Sequence, residues 1–344
     1  MRWRQTCLGV DRTNGGIMPT RDPWAEAERG IETVAENQTY RLITRPDFDG
    51  IVAAVLLRDL GIIDLKDVIF AEPGEMQKGN IPVTSNDITT NLPYVEGVHL
   101  CFDHHASELT RVGPHDNLII DVDAPSAAHV VYNYYGGKEK FPNISSEMLA
   151  AVDQADSADY TEEDILAPSG WTLLNFLVDP RTGFDRMDNL TVSQDDFMRD
   201  LIVYCQNPNI DEILELEDVR ERLEAYITNH EFAERQVLRC STVQGNLVVT
   251  DLRKEEEFIP CNRFLAYGLY PDTNISLTVQ NMPDGTVEFA LGKSIIKRTS
   301  KTDVGELMLK YGGGGHRTAG TCRTKPEDAD RILKEIIEAV SADG

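Results

Sequence analysis

The sequence predicts an α/β fold in which a mainly parallel sheet has helices on both faces. A linker helix and a smaller α/β C-terminal domain with a mixed sheet follow. Three observations predict this arrangement: apolar strand-like runs alternate with helical stretches over residues 40–160, a long amphipathic stretch covers residues 210–239, and a hairpin pattern follows residue 241. At 344 residues the chain is long enough to bury two cores.

The first part of the chain reads as strands and helices in alternation. Apolar runs predict strands at residues 40–44, 68–71, 98–102 and 118–121, and helical patterns predict helices at residues 51–60, 126–135, 145–155, 171–178 and 197–205. Residues 80–93 are polar and are interrupted by Pro82 and Pro93, so they are predicted to form a loop. Strands that alternate with helices in this way indicate a parallel sheet.

The remaining elements follow the linker helix. We predict strands at residues 247–250, 275–279 and 287–291, helices at residues 262–270 and 304–311, and a hairpin turn at residues 281–285. The expected divisions are a poorly ordered extension (1–37), a metal-binding domain (38–205), a connecting helix (206–240) and a substrate-binding domain (241–340). Met18 is an alternative start of translation.

Composition narrows the functional classes. The formal net charge of -25 argues against binding to long nucleic acids, whose affinity depends on attraction to phosphates. The sequence contains no apolar run of membrane-spanning length, and its start lacks a signal-peptide pattern. Six scattered cysteines with no CxxC pair favour a reduced, cytoplasmic protein without a structural zinc site.

The stretch Asp103-His104-His105 follows the buried strand predicted at residues 98–102. Ligand sites in open α/β sheets lie at the carboxyl ends of strands, so three groups that bind metals are expected at such an end. On this stretch alone, Asp103 as a helix cap beside two surface histidines explains the pattern equally well.

A second acidic motif, Asp47-Phe48-Asp49-Gly50, connects the first strand to an apolar helix. Residues two apart in an extended segment point the same way, so Asp47 and Asp49 are predicted to face one cation site. Gly50 permits a sharp turn from strand to helix. The coincidence of both motifs in one chain favours a metal site over two unrelated turns.

These two motifs and the later Gly312-Gly313-Gly314-Gly315-His316 resemble the signatures of the DHH phosphoesterase superfamily. That superfamily includes nanoRNases, RecJ-type exonucleases, family II pyrophosphatases and exopolyphosphatase-like proteins. The resemblance extends over residues 40–324 in the expected order. It implies a binuclear metal site that hydrolyses phosphoesters, with two Mn²⁺ or, alternatively, Mg²⁺ ions.

The resemblance also implies a set of metal ligands. Asp47 is expected at one ion, and Asp49, His104 and Asp156 at the other, with Asp103 in the same site. Asp153 is the alternative to Asp156 on the helix predicted at residues 145–155.

A further metal-binding carboxylate is expected between the two motifs. Asp87 is the candidate for the bridging ligand, and Glu72 is its rival; an Asx-type turn is the alternative role for Asp87. His105 is expected to orient the phosphate or to protonate the leaving oxygen. Ile43 stands where many members carry a metal-binding histidine, so the first ion is expected to have fewer protein ligands.

The glycine run is expected to bind substrate. Glycine N–H groups can converge on an anion, and His316 adds a directed donor. The resemblance places this motif across the cleft from the metals, so Gly313, Gly314, Gly315 and His316 are candidate phosphate contacts. Arg298 and Arg263 are candidate basic partners, although each also fits an ordinary surface residue.

We therefore predict a metal-dependent phosphoesterase that acts on short oligonucleotides or small nucleotides. The alternatives are an exopolyphosphatase that acts on chain ends and, in a different class, a non-catalytic sensor of nucleotides or polyphosphate. The expected partner is a small phosphorylated substrate, with no membrane and no long nucleic acid, and a homodimer is compatible with this reading.

Overall fold

The computed structural model describes residues 39–187, 189–256 and 259–344. The chain from Thr39 onward forms one compact unit. The predicted N-terminal extension and the alternative start at Met18 lie outside the described residues. Within the described ranges, no helix is both long and apolar enough to cross a membrane.

The first sheet has five parallel strands in the order β2-β1-β3-β4-β5. Its strands are β1 (Tyr40–Thr44), β2 (Ile63–Phe70), β3 (Asp87–Thr90), β4 (Leu100–Asp103) and β5 (Leu118–Ile120). All five carboxyl ends lie at one edge because the strands are parallel. The predicted parallel sheet is confirmed.

Helices surround this sheet. They are α1 (Phe48–Asp59), α2 (Pro73–Gln77), α3 (Ala106–Val112), α4 (Ala127–Tyr134), α5 (Gly137–Lys140), α6 (Ser146–Ser157), α7 (Glu162–Leu166), α8 (Gly170–Val178), α9 (Gln194–Tyr204) and α10 (Ile210–Leu214). Helix α1 is buried at every position from Phe48 to Leu57 and contacts α4, α6 and α9. Its first turn, which carries Asp49, is therefore fixed at the centre of the molecule.

The predicted loop at residues 80–93 contains the central strand β3, so that prediction was wrong. Every residue of β3 is buried. The hydroxyl groups of Thr44 in β1 and Thr90 in β3 lie 2.6 Å apart. This hydrogen bond lets both polar side chains be buried between the strands. A strand composed of Asp-Ile-Thr-Thr lacks the apolar run that predicts a buried strand.

The C-terminal part begins after the long helix α11 (Glu217–Cys240). Its six-stranded sheet is mixed, since β7 and β8 are parallel and the other pairs are antiparallel. The elements are β6 (Ser241–Gln244), β7 (Leu247–Asp251), α12 (Leu265–Leu269), β8 (Ile275–Asn281), β9 (Val287–Lys293), α13 (Val304–Leu309), β10 (Gly314–Gly315), β11 (Ala319–Thr324) and α14 (Pro326–Asp343). The predicted mixed sheet is confirmed, although β6, β10, β11 and α14 were not predicted.

The segment before α12 is anchored in the core of the first part. Phe264 and Tyr267 belong to that core. The side-chain amide of Asn262 donates to the carbonyl of Ile165 and to the hydroxyl of Tyr226, at 3.1 and 2.9 Å. These contacts fix the neighbouring Arg263 relative to the first sheet.

Candidate metal centre

The turn from β1 to α1 presents the first carboxylate. Asp47 is the N-cap of α1, and its Oδ1 accepts a 3.0 Å hydrogen bond from the backbone N–H of Gly50. A Cβ atom at Gly50 would lie 2.1 Å from the carbonyl oxygen of Arg45, so only glycine allows this close turn. Asp47 is thereby held at the carboxyl end of β1.

Asp49 lies one residue inside α1 and is 2 % exposed. Its two carboxylate oxygens accept hydrogen bonds from the backbone N–H groups of Ala127 and Ala128, at 3.0 and 2.7 Å. These are the first N–H groups of α4, which have no partner within their own helix. The amino end of α4 therefore holds a buried carboxylate in one orientation.

The end of β4 presents Asp103, which is 1 % exposed. Its Oδ1 accepts a hydrogen bond from the backbone N–H of His104 and lies 2.7 Å from Nδ1 of His105. This contact orients the His105 ring, whose side chain is 41 % exposed. The ring therefore has one nitrogen at Asp103 while much of its surface faces solvent.

His104 connects β4 to α6. Its Nε2 is buried and lies 2.8 Å from Oδ2 of Asp156. Its Nδ1 lies 3.2 Å from the carbonyl oxygen of Ala124, which can only accept a proton. The Nδ1 proton is therefore directed at this carbonyl, and Nε2 is the nitrogen that faces Asp156. Nε2 can carry a second proton toward this carboxylate or, once that proton has left, offer a lone pair to a metal ion.

The negative charges of the carboxylates in this cluster have too little positive charge beside them. Burial raises the pKa of Asp49 well above its usual range, and the nearby Asp156 and Asp47 raise it further. Burial also raises the pKa of Asp47. Burial alone would lower the pKa of His104, but its contacts with Asp156 and Asp49 raise it to about 9. A cation is the group that such a site lacks.

The donor set fits a divalent metal ion. Two groups each offer ligand atoms that lie within 4.8 Å of one another: Asp103, His104 and His105 form one group, and Asp49, His104 and Asp156 form the other. An ion would accept the Nε2 lone pair of His104 and would offset the repulsion among the carboxylates. Oxygen ligands mixed with imidazole suit Mn²⁺ or Mg²⁺.

Asp87 does not lie in this cluster, so its predicted role as a bridging ligand was wrong. It begins β3 at the amino edge of the sheet, and Nε and Nη2 of Arg41 donate to its two oxygens at 2.6 and 2.7 Å. The strand runs about 10 Å from Asp87 to the carboxyl edge. Its rival Glu72 is exposed and precedes α2, outside both of these groups of ligands.

The residue at the carboxyl end of β3 is Asn91. Its side-chain amide nitrogen lies 3.5 and 3.4 Å from the oxygens of Asp47, while its buried Oδ1 has no hydrogen-bond partner among the described residues. The backbone has a left-handed φ of 54°, which asparagine tolerates better than most residues. The site therefore has a neutral amide where a carboxylate was expected.

Asp153, the predicted alternative to Asp156, has both oxygens occupied. Oδ1 accepts from the hydroxyl of Ser126 at 2.7 Å, and Oδ2 lies 2.9 Å from Nδ1 of His129. Asp153 thus ties α6 to α4 and stands outside the metal-binding groups of the described residues. Ile43 is fully buried in an apolar cluster with Ala71, Met76 and Leu92.

The glycine run forms the edge hairpin of the second sheet. The N–H groups of Gly312, Gly313 and His316 donate to backbone carbonyls, so these three are not free to bind an anion. Cβ atoms at Gly313 and Gly315 would lie 2.0 and 2.4 Å from carbonyl oxygens of the hairpin partner. Glycine is therefore required here because the two strands of the hairpin approach closely. The predicted phosphate contact of Gly314, Gly315 and the exposed His316 side chain stays a prediction.

Arg298 caps the helix that carries Asp156. Its Nη2 donates a 2.8 Å hydrogen bond to the carbonyl of Ala158, just past the end of α6. Arg263, by contrast, lines the same cleft as Asp47 and Asp156. The same cleft contains Asp179 and Arg181, which sequence reasoning missed because no motif connects them to the metal-binding residues.

Solved structures of other proteins resemble this chain. No protein-family model and no curated protein matches the sequence. The pGpG-specific phosphodiesterase PggH from Vibrio cholerae is 48 % identical to the chain, with a TM-score of 0.80, and the match covers 89 % of this chain and 100 % of that one. The chain belongs to the DHH phosphoesterase superfamily. The resemblance stated from its motifs is thus confirmed, and so is its class as a metal-dependent phosphoesterase.

More distant solved structures share the fold. An exopolyphosphatase-related protein from Bacteroides fragilis matches with a TM-score of 0.52 and 14 % identity, covering 92 % of this chain and 96 % of that one. The exonuclease RecJ bound to manganese matches with a TM-score of 0.51 and 15 % identity, covering 93 % and 94 %. At these identities the likeness concerns the fold alone.

Proposed function

We propose that this DHH protein is a metal-dependent phosphodiesterase that hydrolyses the linear dinucleotide pGpG to two molecules of GMP. The observation that carries the proposal is the 48 % identity to PggH over that protein's whole length. The cluster of carboxylates and imidazoles supports it, because phosphodiester hydrolysis by this superfamily requires a divalent metal. The formal net charge of -25 disfavours long polyanions, so a short dinucleotide is the better substrate.

The proposed ligands divide between two ions. Asp49, His104 and Asp156 would hold one ion, and Asp47 and Asp103 would hold the other, with Mn²⁺ favoured over Mg²⁺. Bound divalent ions supply a nucleophilic water at neutral pH and offset negative charge on the phosphoryl oxygens.

His105 is the proposed proton donor. Oδ1 of Asp103 lies 2.7 Å from Nδ1 and accepts a hydrogen bond from that nitrogen, which orients the ring. The proton to be donated is therefore carried on Nε2, the nitrogen that is left for the substrate. When the bond between phosphorus and the ribose 3′-oxygen breaks, that oxygen needs a proton, and a positioned imidazole can supply it. The products are then two 5′-mononucleotides.

Turnover of pGpG by the purified protein with Mn²⁺ tests the proposal. We expect GMP as the product, separated by chromatography, and loss of turnover on chelation. Release of free phosphate from polyphosphate, without turnover of pGpG, would instead support the exopolyphosphatase alternative. Binding of pGpG without metal and without turnover would support the sensor.

A further inference from the structure

Two arginines lie in the cleft beside the metal-site carboxylates. Arg181 belongs to the short 3₁₀ helix Pro180–Thr182, and Arg263 precedes α12 in the C-terminal part. They are 82 residues apart in the sequence, yet both line the cleft that contains Asp47, Asp49 and Asp156. The superfamily motifs include neither arginine.

Asp179 holds both guanidinium groups. Nε of Arg181 donates to Oδ1 at 2.7 Å, and Nε of Arg263 donates to Oδ2 at 3.2 Å. The terminal nitrogens of the two guanidinium groups have no hydrogen-bond partner among the described residues. Since Asp179 uses only the Nε atoms, those terminal nitrogens remain available to an oxyanion.

The arrangement is rigid. Asp179 is 7 % exposed and also accepts the backbone N–H of Arg181 at 3.0 Å. The guanidinium of Arg263 stacks on the ring of Phe264, 4.2 Å from its centroid, and Phe264 packs against Tyr160 and Phe176 in the core. Groups held in this way lose little entropy when they bind a ligand.

The local charge balance favours an anion. Two guanidinium groups share one carboxylate, and Arg45 lies close by, with its Nε 3.1 Å from Oδ2 of Asp47. Burial lowers the pKa of Arg263 to about 10, and the positive charge of Arg181 contributes in the same direction. Once divalent ions compensate the metal-site carboxylates, the two guanidinium groups share the single carboxylate of Asp179, and a bound anion offsets the remaining positive charge.

We propose that Arg181 and Arg263 form a clamp for the phosphodiester group that is cleaved, and that Asp179 is its positioning residue. The proposal rests on the phosphodiesterase function and names the part of the substrate that this cleft binds. The clamp shares a cleft with Asp47, Asp49 and Asp156, so the anion beside it is the phosphate at the metals rather than the terminal 5′-phosphate. Negative charge on the non-bridging oxygens grows during attack, which two fixed guanidinium groups stabilise.

Steady-state kinetics on three substrates tests this clamp. The variants are Arg181→Gln, Arg263→Gln and Asp179→Asn, and the substrates are pGpG, GpG without the 5′-phosphate, and the chromogenic diester bis(p-nitrophenyl) phosphate. We expect kcat/KM to fall about 100-fold in each arginine variant, by the same factor on all three. Arg220→Gln, which removes an exposed arginine of α11, serves as the matched control and should leave kcat/KM unchanged.

Four further outcomes separate the clamp from its alternatives. A loss confined to pGpG would assign the clamp to the terminal phosphate and overturn it, as would unchanged kinetics in both arginine variants. Turnover of the chromogenic diester but not of pGpG would reject pGpG as the substrate. The effect of the arginine variants on the chromogenic diester would then still support or overturn the clamp. For Asp179→Asn, we expect a loss of kcat on every substrate with an unchanged Mn²⁺-induced shift in melting temperature; a loss of that shift would indicate a merely structural role.

Discussion

Oδ1 of Asp49 accepts a 2.7 Å hydrogen bond from the backbone N–H of Ala128, so the amino end of one helix orients a carboxylate carried by another. This contact lies at the carboxyl edge of the parallel sheet, where the cluster also contains Asp47, Asp103 and His104. Asp49 therefore has two roles, because the same carboxylate accepts hydrogen bonds from the first N–H groups of α4 and faces the proposed ion. These roles can be separated by experiment.

Replacement of Asp49 by asparagine should abolish turnover and weaken Mn²⁺ binding at least tenfold, which is about 1.4 kcal/mol of binding free energy. The amide keeps one acceptor but turns an N–H₂ group toward a donor of α4, so the free energy of unfolding should also fall by about 1 kcal/mol. Calorimetry with Mn²⁺ and chemical denaturation measure the two effects. Asp64→Asn, at an exposed position, is the control, and retained Mn²⁺ affinity in Asp49→Asn would remove Asp49 from the site.

The two aspartates of α6, Asp153 and Asp156, should behave in opposite ways. Asp156→Asn should lose Mn²⁺-induced stabilisation and activity, because it removes the carboxylate beside Nε2 of His104. Asp153→Asn should retain both but lower the free energy of unfolding by about 1 kcal/mol, because it weakens the contacts with Ser126 and His129. Thermal melts of the two variants, with Mn²⁺ and with a chelator, provide the comparison. Loss of the metal response in Asp153→Asn alone would reverse the assignment.

The sequence predicted the groups that directly follow a strand. Asp47 and Asp103 come after apolar runs, and parallel strands bring their carboxyl ends to one edge, so their proximity could be inferred without coordinates. The same rule does not place Asp87 because the composition of residues 80–93 predicts a loop rather than a strand. Without knowing the strand, we could not tell which of its ends carries Asp87 and which carries Asn91.

Arg263 was a predicted basic partner of the substrate, but its proximity to Arg181 could not be predicted. Arg181 and Arg263 meet only because the segment before α12 packs into the first core through Phe264. The hydrophobic pattern of a sequence predicts local helices and strands but does not show contacts between distant parts of the chain. For the glycine run, the sequence did not reveal a structural requirement, since close approach within the β10–β11 hairpin already requires glycine at Gly313 and Gly315. Its contact with phosphate stays a prediction.

Asp87 should contribute to stability in a pH-dependent way. Burial opposes its ionisation, but hydrogen bonds from Arg41 and Thr84 outweigh this and lower the pKa of Asp87. A carboxyl whose pKa is lower in the folded state stabilises fully above its unfolded pKa, about 3.9, and the contribution disappears as the pH falls through the lower folded value. At pH 6, Asp87→Asn should therefore cost about 2 kcal/mol of unfolding free energy, and the difference from wild type should shrink below about pH 4.

Denaturant unfolding at several pH values measures this dependence. Turnover and Mn²⁺ affinity of Asp87→Asn should equal those of the wild type at temperatures where the variant is folded, because Asp87 lies at the amino edge of the sheet. A variant that is fully folded yet no longer binds Mn²⁺ would restore Asp87 as a ligand.

Replacement of Asn91 by aspartate should strengthen metal binding and lower the stability of the metal-free protein. The side chain lies beside Asp47, and its Oδ1 has no partner among the described residues, so a carboxylate there would add both a ligand and a like charge. With a chelator present, repulsion from Asp47 should lower the melting temperature; with Mn²⁺, the affinity should rise about tenfold, or about 1.4 kcal/mol. Asn86→Asp, an exposed change at the amino edge, should alter neither quantity. If Asn91→Asp left both Mn²⁺ affinity and metal-free stability unchanged, Asn91 would not face the ion, and the neutral amide would have no part in setting the charge of the centre.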